Sequence, residues 1–348
     1  MQLTPDRRVA ILLHEGILGS IGKTGLTLLR YSEATIVAVI DRECAGRSLP
    51  ELTGIDREVP IVESVEEALT YHPDILAIGI APPGGGLPPS WFMELQHAIA
   101  AGVSIVNGLH TSLANHPELR HSLRPGQWIW DIRQEPVGLQ IGSAQARELS
   151  CKRVLTVGTD MAIGKMSASI ELHRRARDRG LRSQFLATGQ AGLAISGEGI
   201  PLDAVRVDFA AGAVEQMVMR YGRDRDLVFV EGQGSLFHPG STATLPLIRG
   251  SQPTHLVLVH RAGQTHIRNH PHVPIPPLPA AIQIYESIAH AAGAFAPVPV
   301  AAIALNTRDL DDAGAKGAIA AVQRETGLPC ADPVRFSADP ILDALVGC

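Results

Sequence analysis

The sequence predicts an α/β protein of two parallel-sheet domains, an N-terminal Rossmann-like half and a C-terminal half of the P-loop NTPase type. Three observations predict it. Short apolar, β-rich runs alternate with segments of helical period from end to end, the pattern of βαβ units around a parallel sheet. The run Gly158-Thr159-Asp160-Met161-Ala162-Ile163-Gly164-Lys165 stands between a strand-like and a helix-like segment, the context a phosphate-binding loop requires. Finally, 348 residues exceed the ~250 to 300 that one hydrophobic core serves. Two domains are therefore expected, at 1–140 and 141–348.

In the first half, strands are expected at Val9 to His14, Thr35 to Asp41, Ile75 to Ile80, Ser104 to Leu109 and Trp128 to Ile132. Helices fill the gaps at Gly22 to Tyr31, Ser64 to Tyr71 and Ser90 to Ala101. In the second half, strands fall at Arg153 to Val157, Ser183 to Thr188, Leu227 to Glu231, His255 to His260 and Val298 to Asn306. Its helices are Lys165 to Arg179, Ala210 to Tyr221, Ala281 to Ala292 and Ala313 to Thr326. The segment Arg268 to Pro279 is rich in His and Pro; because Pro removes donors and fixes φ, it is expected as a surface loop, a candidate lid. Its histidines His266, His270 and His272 read as solvated rather than metal-bound, since no ordered helix sets their geometry.

Composition excludes several classes. Lys and Arg are scattered in a chain of net charge −5, so no nucleic-acid footprint is visible. No apolar run reaches the ~18 residues of a transmembrane helix, and the N-terminus lacks a signal-peptide pattern. The expectation is a cytoplasmic homo-oligomer that works on small molecules and not on membranes or nucleic acid. Cys44, Cys151, Cys330 and Cys348 are far apart, which argues for reduced thiols over a zinc knuckle or a disulfide framework and leaves a cysteine nucleophile open.

The loop at 158–165 carries the chemistry. Its glycines let backbone N–H groups point inward, and the following helix adds positive potential where phosphate sits. Gly158, Thr159, Asp160, Gly164, Lys165, Met166 and Ser167 are the candidate cofactor-binding residues. Nucleoside-triphosphate hydrolases place Ser or Thr after the lysine to ligate Mg²⁺. Here that residue is Met166, whose thioether suits a hard cation poorly, so the loop should grip phosphate better than it supports Mg-dependent transfer. Asp160 works the other way, as a possible metal ligand or base. The next strand ends at Glu231, followed by Gly232-Gln233-Gly234-Ser235; at the carboxyl end of a strand, Glu231 is a candidate base or metal ligand, with an ordinary strand-end carboxylate as the competing reading.

The N-terminal half has glycines after its first strand, Gly16, Gly19 and Gly22, and an acid, Asp41, ending the second. That is the layout of a dinucleotide fold, although the spacing is G-x-x-G-x-x-G. The run to Lys23-Thr24 also imitates a lengthened P-loop. Gly84, Gly85 and Gly86 follow the third strand and could offer N–H groups to a carboxylate. Asp131 and Arg133 close this half, Arg133 as a bidentate carboxylate clamp or as Asp131's structural partner.

Several stretches together resemble one family: Lys23-Thr24-Gly25, Ala38-Val39-Ile40-Asp41, Gly164-Lys165-Met166-Ser167, Thr188-Gly189-Gln190-Ala191-Gly192, Glu231-Gly232-Gln233-Gly234-Ser235, Ala304-Leu305-Asn306-Thr307 and Asp332-Pro333-Val334-Arg335. They are similar to the DgcN-type D-glutamate N-acetyltransferase family, and the likeness spans nearly the whole chain. The resemblance implies acetyl transfer from acetyl-CoA to the amine of D-glutamate, with the loop cradling the phosphates of CoA. For that chemistry Asp160, Glu231 and His238 are the candidate catalytic groups, and Gly232-Gln233-Gly234 candidate oxyanion donors. Arg133, Gly84, Gly85, Gly232, Gln233 and Arg261 are candidates for substrate binding; no metal is required. The Gly-Thr-Asp opening also looks like dethiobiotin synthetase, which keeps an ATP- and Mg-using ligase or kinase as the alternative. A non-catalytic nucleotide-sensing module is the third.

Overall fold

The computed structural model describes residues 3–82 and 85–347, in two compact units: residues 1–134 with 190–197, and residues 135–189 with 198–348. The first contains strands β1 (Arg8–Leu12), β2 (Thr35–Ile40), β3 (Ile61–Val62), β4 (Ile75–Ile78), β5 (Ser104–Asn107) and β6 (Ile129–Asp131). They form a six-stranded sheet in the order β3-β2-β1-β4-β5-β6 with parallel pairings. This is the doubly wound order in which the winding reverses between the first and fourth strands. Val9, Ala10, Ile11 and Leu12 are fully buried, as continuous apolar strands covered on both faces should be.

The glycine turn after β1 serves the protein's own packing. Gly25, in the helix Lys23–Tyr31, donates its N–H to Gly79 O at 2.6 Å, and a Cβ on Gly79 would stand 2.9 Å from Gly25 Cα. Inside the turn, a Cβ on Gly22 would fall 2.0 Å from Gly16 O. Asp41, at the place where a dinucleotide fold carries its ribose-binding acid, is 1% exposed and accepts from the N–H groups of Ile17 (3.3 Å) and Glu43 (3.1 Å). Lys23 is exposed, so the turn does not fold around it as a P-loop does.

The second unit contains β7 (Lys152–Gly158), β8 (Ser183–Leu186), β9 (Leu227–Val230), β10 (His255–Arg261), β11 (His266–Ile267), β12 (His270–Pro274), β13 (Val300–Asn306) and β14 (Cys330–Ala331). Its six-stranded parallel sheet runs β14-β13-β10-β7-β9-β8, so β7 lies between β9 and β10. Alternate side chains feed two cores. Leu155, Val157, Val228, Val230, Leu256 and Leu258 face the helices Ala210–Tyr221, Thr244–Ser251 and Leu278–Ile288. Val154, Phe229, Val257 and Val259 face Leu172 of the helix Lys165–Asp178 and Ile341 of the helix Asp339–Val346.

One expectation is corrected. The His- and Pro-rich segment is not an irregular loop: β11 and β12 pair antiparallel as a separate two-stranded ribbon, with His266 opposite Pro274 and Ile267 opposite His270. A ribbon has open edges, so Pro271 and Pro274 remove no donor that a wider sheet would need. The helix that follows starts at Leu278, earlier than expected, because Pro in the first turn lacks only an N–H that would go unbonded there.

Candidate functional site

The loop at the end of β7 is shaped by its backbone. A Cβ on Gly158 would lie 2.8 Å from Ile163 Cδ1 and 3.1 Å from Lys165 Nζ, so the side chains of the loop pack directly over this glycine. Ala162 (φ 55) and Gly164 (φ 109) take left-handed conformations, the kind of turn from which anion-binding nests of main-chain N–H groups are built. Gly164 caps the helix Lys165–Asp178 without a side-chain hydrogen bond, leaving the first-turn N–H groups unclaimed by any cap. Lys165 is 6% exposed, and its Nζ donates to Asp160 O at 2.7 Å. Met166 and Ser167 are half-buried in the same turn.

Around the loop stands a set of supports to which sequence reading assigned no such role. Ser235 Oγ and Tyr285 Oη both donate to Gly158 O, at 2.8 and 2.7 Å. Thr156 Oγ1 lies 3.0 Å from Ser169 Oγ and accepts from Gly232 N at 2.8 Å. Asn306 Nδ2, at the end of β13, donates to Ile163 O at 2.9 Å. Thr159 is fully buried, with Oγ1 2.8 Å from His260 Nδ1. Burial pushes His260 down to about 4, so this ring is neutral at physiological pH, and burial also raises the Tyr285 phenol. Asn306 belongs to a stretch that carried the family resemblance; Tyr285 and His260 stand in otherwise ordinary helix and strand patterns and give no local signal.

The candidate catalytic groups sit in different settings. Asp160 is fully buried and accepts from Met161 N (2.6 Å), Gln264 Nε2 (2.6 Å) and Arg268 N (2.8 Å). Its carboxylate thereby holds the β11–β12 ribbon to the loop. Glu231, one residue past β9, is 5% exposed; its Oε2 accepts from Thr188 N at 2.9 Å and its carbonyl from Thr188 Oγ1 at 2.8 Å. The adjoining Gly232 lies against the lysine, since a Cβ there would be 2.9 Å from Lys165 Cδ and 1.8 Å from Thr156 O. Glu231 therefore stands one residue from the phosphate loop. His238 lies further out, half-buried, with Nδ1 accepting from Gly240 N at 3.0 Å and its ring edge-on to His270 at 5.2 Å.

The N–H of Gly232 is spent on Thr156, which removes it as an oxyanion donor; Gln233, half-buried, keeps its side-chain amide over Gly189. Arg261 Nη1 lies 3.5 Å from Asp309 Oδ2. In the first unit, Arg133 does not pair with Asp131. Its Nη1 donates to His110 Nε2, and Gly85 (φ 67) packs against that same ring. Asp131 is taken up by Asn107, Ser112, Leu113 and Ala114. Gly84, also proposed for substrate binding, is outside the described residues.

Cysteine chemistry finds no support among the described thiols. Cys44, Cys151 and Cys330 are free and buried. Burial raises all three, Cys330 to about 12 with help from Asp332, which keeps them protonated and poorly nucleophilic. Among the described residues there is no group of three or more His, Cys, Asp or Glu arranged to hold a metal, and no helix long and apolar enough to cross a membrane.

Comparison with known proteins agrees with this architecture. Residues 140–342 match the family described as Domain of unknown function (DUF1611_C) P-loop domain, and residues 42–135 its Rossmann-like partner, DUF1611_N. A crystal structure of a DUF1611 family protein from Anabaena variabilis is 67% identical, with a TM-score of 0.96 over 99% of this chain and 100% of that one. A protein of Tritonibacter scottomollicae named D-glutamate N-acetyltransferase is 35% identical over 285 residues, 81% of this chain and 84% of the relative. One of the same name from Pseudoalteromonas sp. is 34% identical over 281 residues, 80% and 83% of the two chains. With a Rossmann-like sheet followed by a P-loop sheet, and the family matched across both, this chain belongs to the DUF1611 family.

Proposed function

We propose that this protein is an acyltransferase that moves an acetyl group from acetyl-CoA to the amine of D-glutamate or a similar acidic amino acid. The observation that carries the reading is the loop itself: an uncapped helix end and a buried lysine form an anion cup, while the position next to the lysine holds Met166 instead of a Mg²⁺-binding hydroxyl. Such a cup favours holding the diphosphate of CoA over cleaving a triphosphate. The name carried by relatives at about 35% identity supports the same reaction.

In this reading the acceptor amine gives up a proton and attacks the thioester carbonyl carbon; the C–S bond breaks, and the departing CoA thiolate takes up a proton. Glu231 is the residue proposed to accept the amine proton, because it stands one residue from the loop, whereas the carboxylate of Asp160 is committed to the ribbon. Asp160 is thereby reassigned from chemistry to positioning. Incubating the protein with acetyl-CoA and D-glutamate should release free thiol and N-acetylglutamate. If no thiol appears above background, while Mg-ATP yields ADP with a carboxylate or amine acceptor, the ligase or kinase alternative takes its place.

A further inference from the structure

The acetyl transfer proposed above leaves the side-chain carboxylate of an acidic acceptor without a partner, and the chain beside the phosphate loop is free of competing acids. There are 35 Asp and Glu in 348 residues, yet none occurs from Gly232 through Tyr285, a stretch that holds six histidines and three arginines. A face built from this stretch contributes no carboxylate of its own to repel an anion. Two of its elements flank the loop. The segment 232–241 is tied there by Ser235 Oγ on Gly158 O, and the β11–β12 ribbon by Gln264 Nε2 and Arg268 N on Asp160 Oδ2.

The two elements meet through imidazoles. The two-residue period of a strand puts His270 and His272 on one face of β12. On that face three rings follow one another edge to face, His238 to His270 at 5.2 Å and His270 to His272 at 5.9 Å. His238 is fixed as a donor: its Nδ1 accepts the N–H of Gly240 at 3.0 Å, so in the neutral ring the proton sits on Nε2. That N–H, like the ring nitrogens of His270 and His272, has no protein partner among the described residues. His238 and His270 are half-buried and His272 is exposed, so the row is open to a solute.

We propose that this row, with His238 and His270 at its centre, binds the side-chain carboxylate of the acidic acceptor and so sets the preference for it. The assignment rests on the acetyl-transfer reading only in bringing an acidic amino acid to the loop. The α-carboxylate shares its carbon with the reacting amine and must stay beside Glu231. The side-chain carboxylate lies further along the molecule, as His238 lies further out from the loop. Single N–H donors suit a carboxylate, whereas a phosphate calls for the fork of an arginine or the charge of a lysine, and Lys165 already supplies the latter.

The test uses the full chain carrying His238→Phe or His270→Phe, which keep the ring packing and remove the N–H, so that if one variant misfolds the other still decides. The acceptors are D-glutamate and D-norvaline, whose methyl group replaces the side-chain carboxylate. Each variant should raise KM and the calorimetric Kd for D-glutamate about tenfold, the loss of one hydrogen bond to a charged group, with kcat within about twofold. D-Norvaline turnover should not change, and His238→Gln, which retains an N–H donor, should recover most of the D-glutamate affinity. Unchanged D-glutamate binding in both Phe variants would overturn the proposal, as would a parent protein that does not bind D-glutamate. A fall in kcat for both acceptors would overturn it by making His238 part of the chemistry. Weaker CoA binding with an unaltered KM for D-glutamate would overturn it by giving the row to a phosphate. The two readings fail separately. Loss of D-glutamate binding in the variants of a protein that releases no thiol from acetyl-CoA removes acetyl transfer alone, and thiol release with an unaltered KM removes the histidine row alone.

Discussion

Replacing Lys165 by Met separates charge from packing at the phosphate loop. The lysine stem is enclosed, its carbons standing 3.2 Å from where a Cβ of Gly158 would be and 2.9 Å from the same point on Gly232. A straight-chain thioether should fill that channel, so the fold should survive. The Nζ charge, however, is held at the loop by its bond to Asp160 O. A hydrogen bond to a charged group contributes about 1.5 to 3 kcal/mol. At 1.4 kcal/mol per tenfold, Lys165→Met should weaken CoA binding roughly 10- to 150-fold in isothermal titration calorimetry while the melting temperature stays near that of the parent. Lys165→Ala should show the same loss of affinity and lower stability as well, because it empties the channel. Unchanged CoA affinity in the Met variant would refute the argument that this loop is where the phosphates bind.

Other expectations follow from the same neighbourhood. Gly232→Ala puts a carbon 1.8 Å from a backbone oxygen that cannot retreat, so thermal unfolding should show overpacking of about 1 to 3 kcal/mol along with lost CoA binding. Asp160→Ala frees the β11–β12 ribbon, and amide exchange over residues 264–274 should speed up while β7 stays protected. His260 is depressed from 6.5 to about 4 by burial, so between those values the unfolded chain binds the proton and the folded one does not. Its contribution, roughly 3 kcal/mol at 1.36 kcal/mol per unit, is complete above pH 6.5 and disappears as pH falls toward 4. Melting curves across that window should be flatter for His260→Gln than for the parent. Tyr285→Phe should cost about 1 kcal/mol by removing one of the two donors on Gly158 O, measurable by calorimetry.

Much of the fold was legible because its signals are local. The strand, glycine loop and helix around Gly158–Lys165 announce themselves within some twenty residues, and the observed helix Lys165–Asp178 ends within one residue of the expected bound. The supports of that loop could not be read the same way. Tyr285 meets Gly158 across 127 positions and Asn306 meets Ile163 across 143, and neither bond leaves a trace in the periodicity of its own segment. Asp160 shows the limit most clearly: its residue type and place in the loop suggested a base or metal ligand, but the groups its carboxylate holds, Gln264 and Arg268, lie more than a hundred residues away and leave no local sign. The short helix Gln190–Ser196 escaped notice because it begins inside a Gly-rich stretch that reads as a turn.

That helix has a consequence for how such a chain can be inherited. Because residues 190–197 are grouped with the first unit while both of their flanks belong to the second, the polypeptide leaves one body, lends it a piece and returns. A single recombination point cannot exchange one half for a foreign counterpart without leaving a borrowed element behind or a gap unfilled. The pair should therefore descend as one indivisible cassette, and fragments cut near residue 135 should make poor starting material for chimeras.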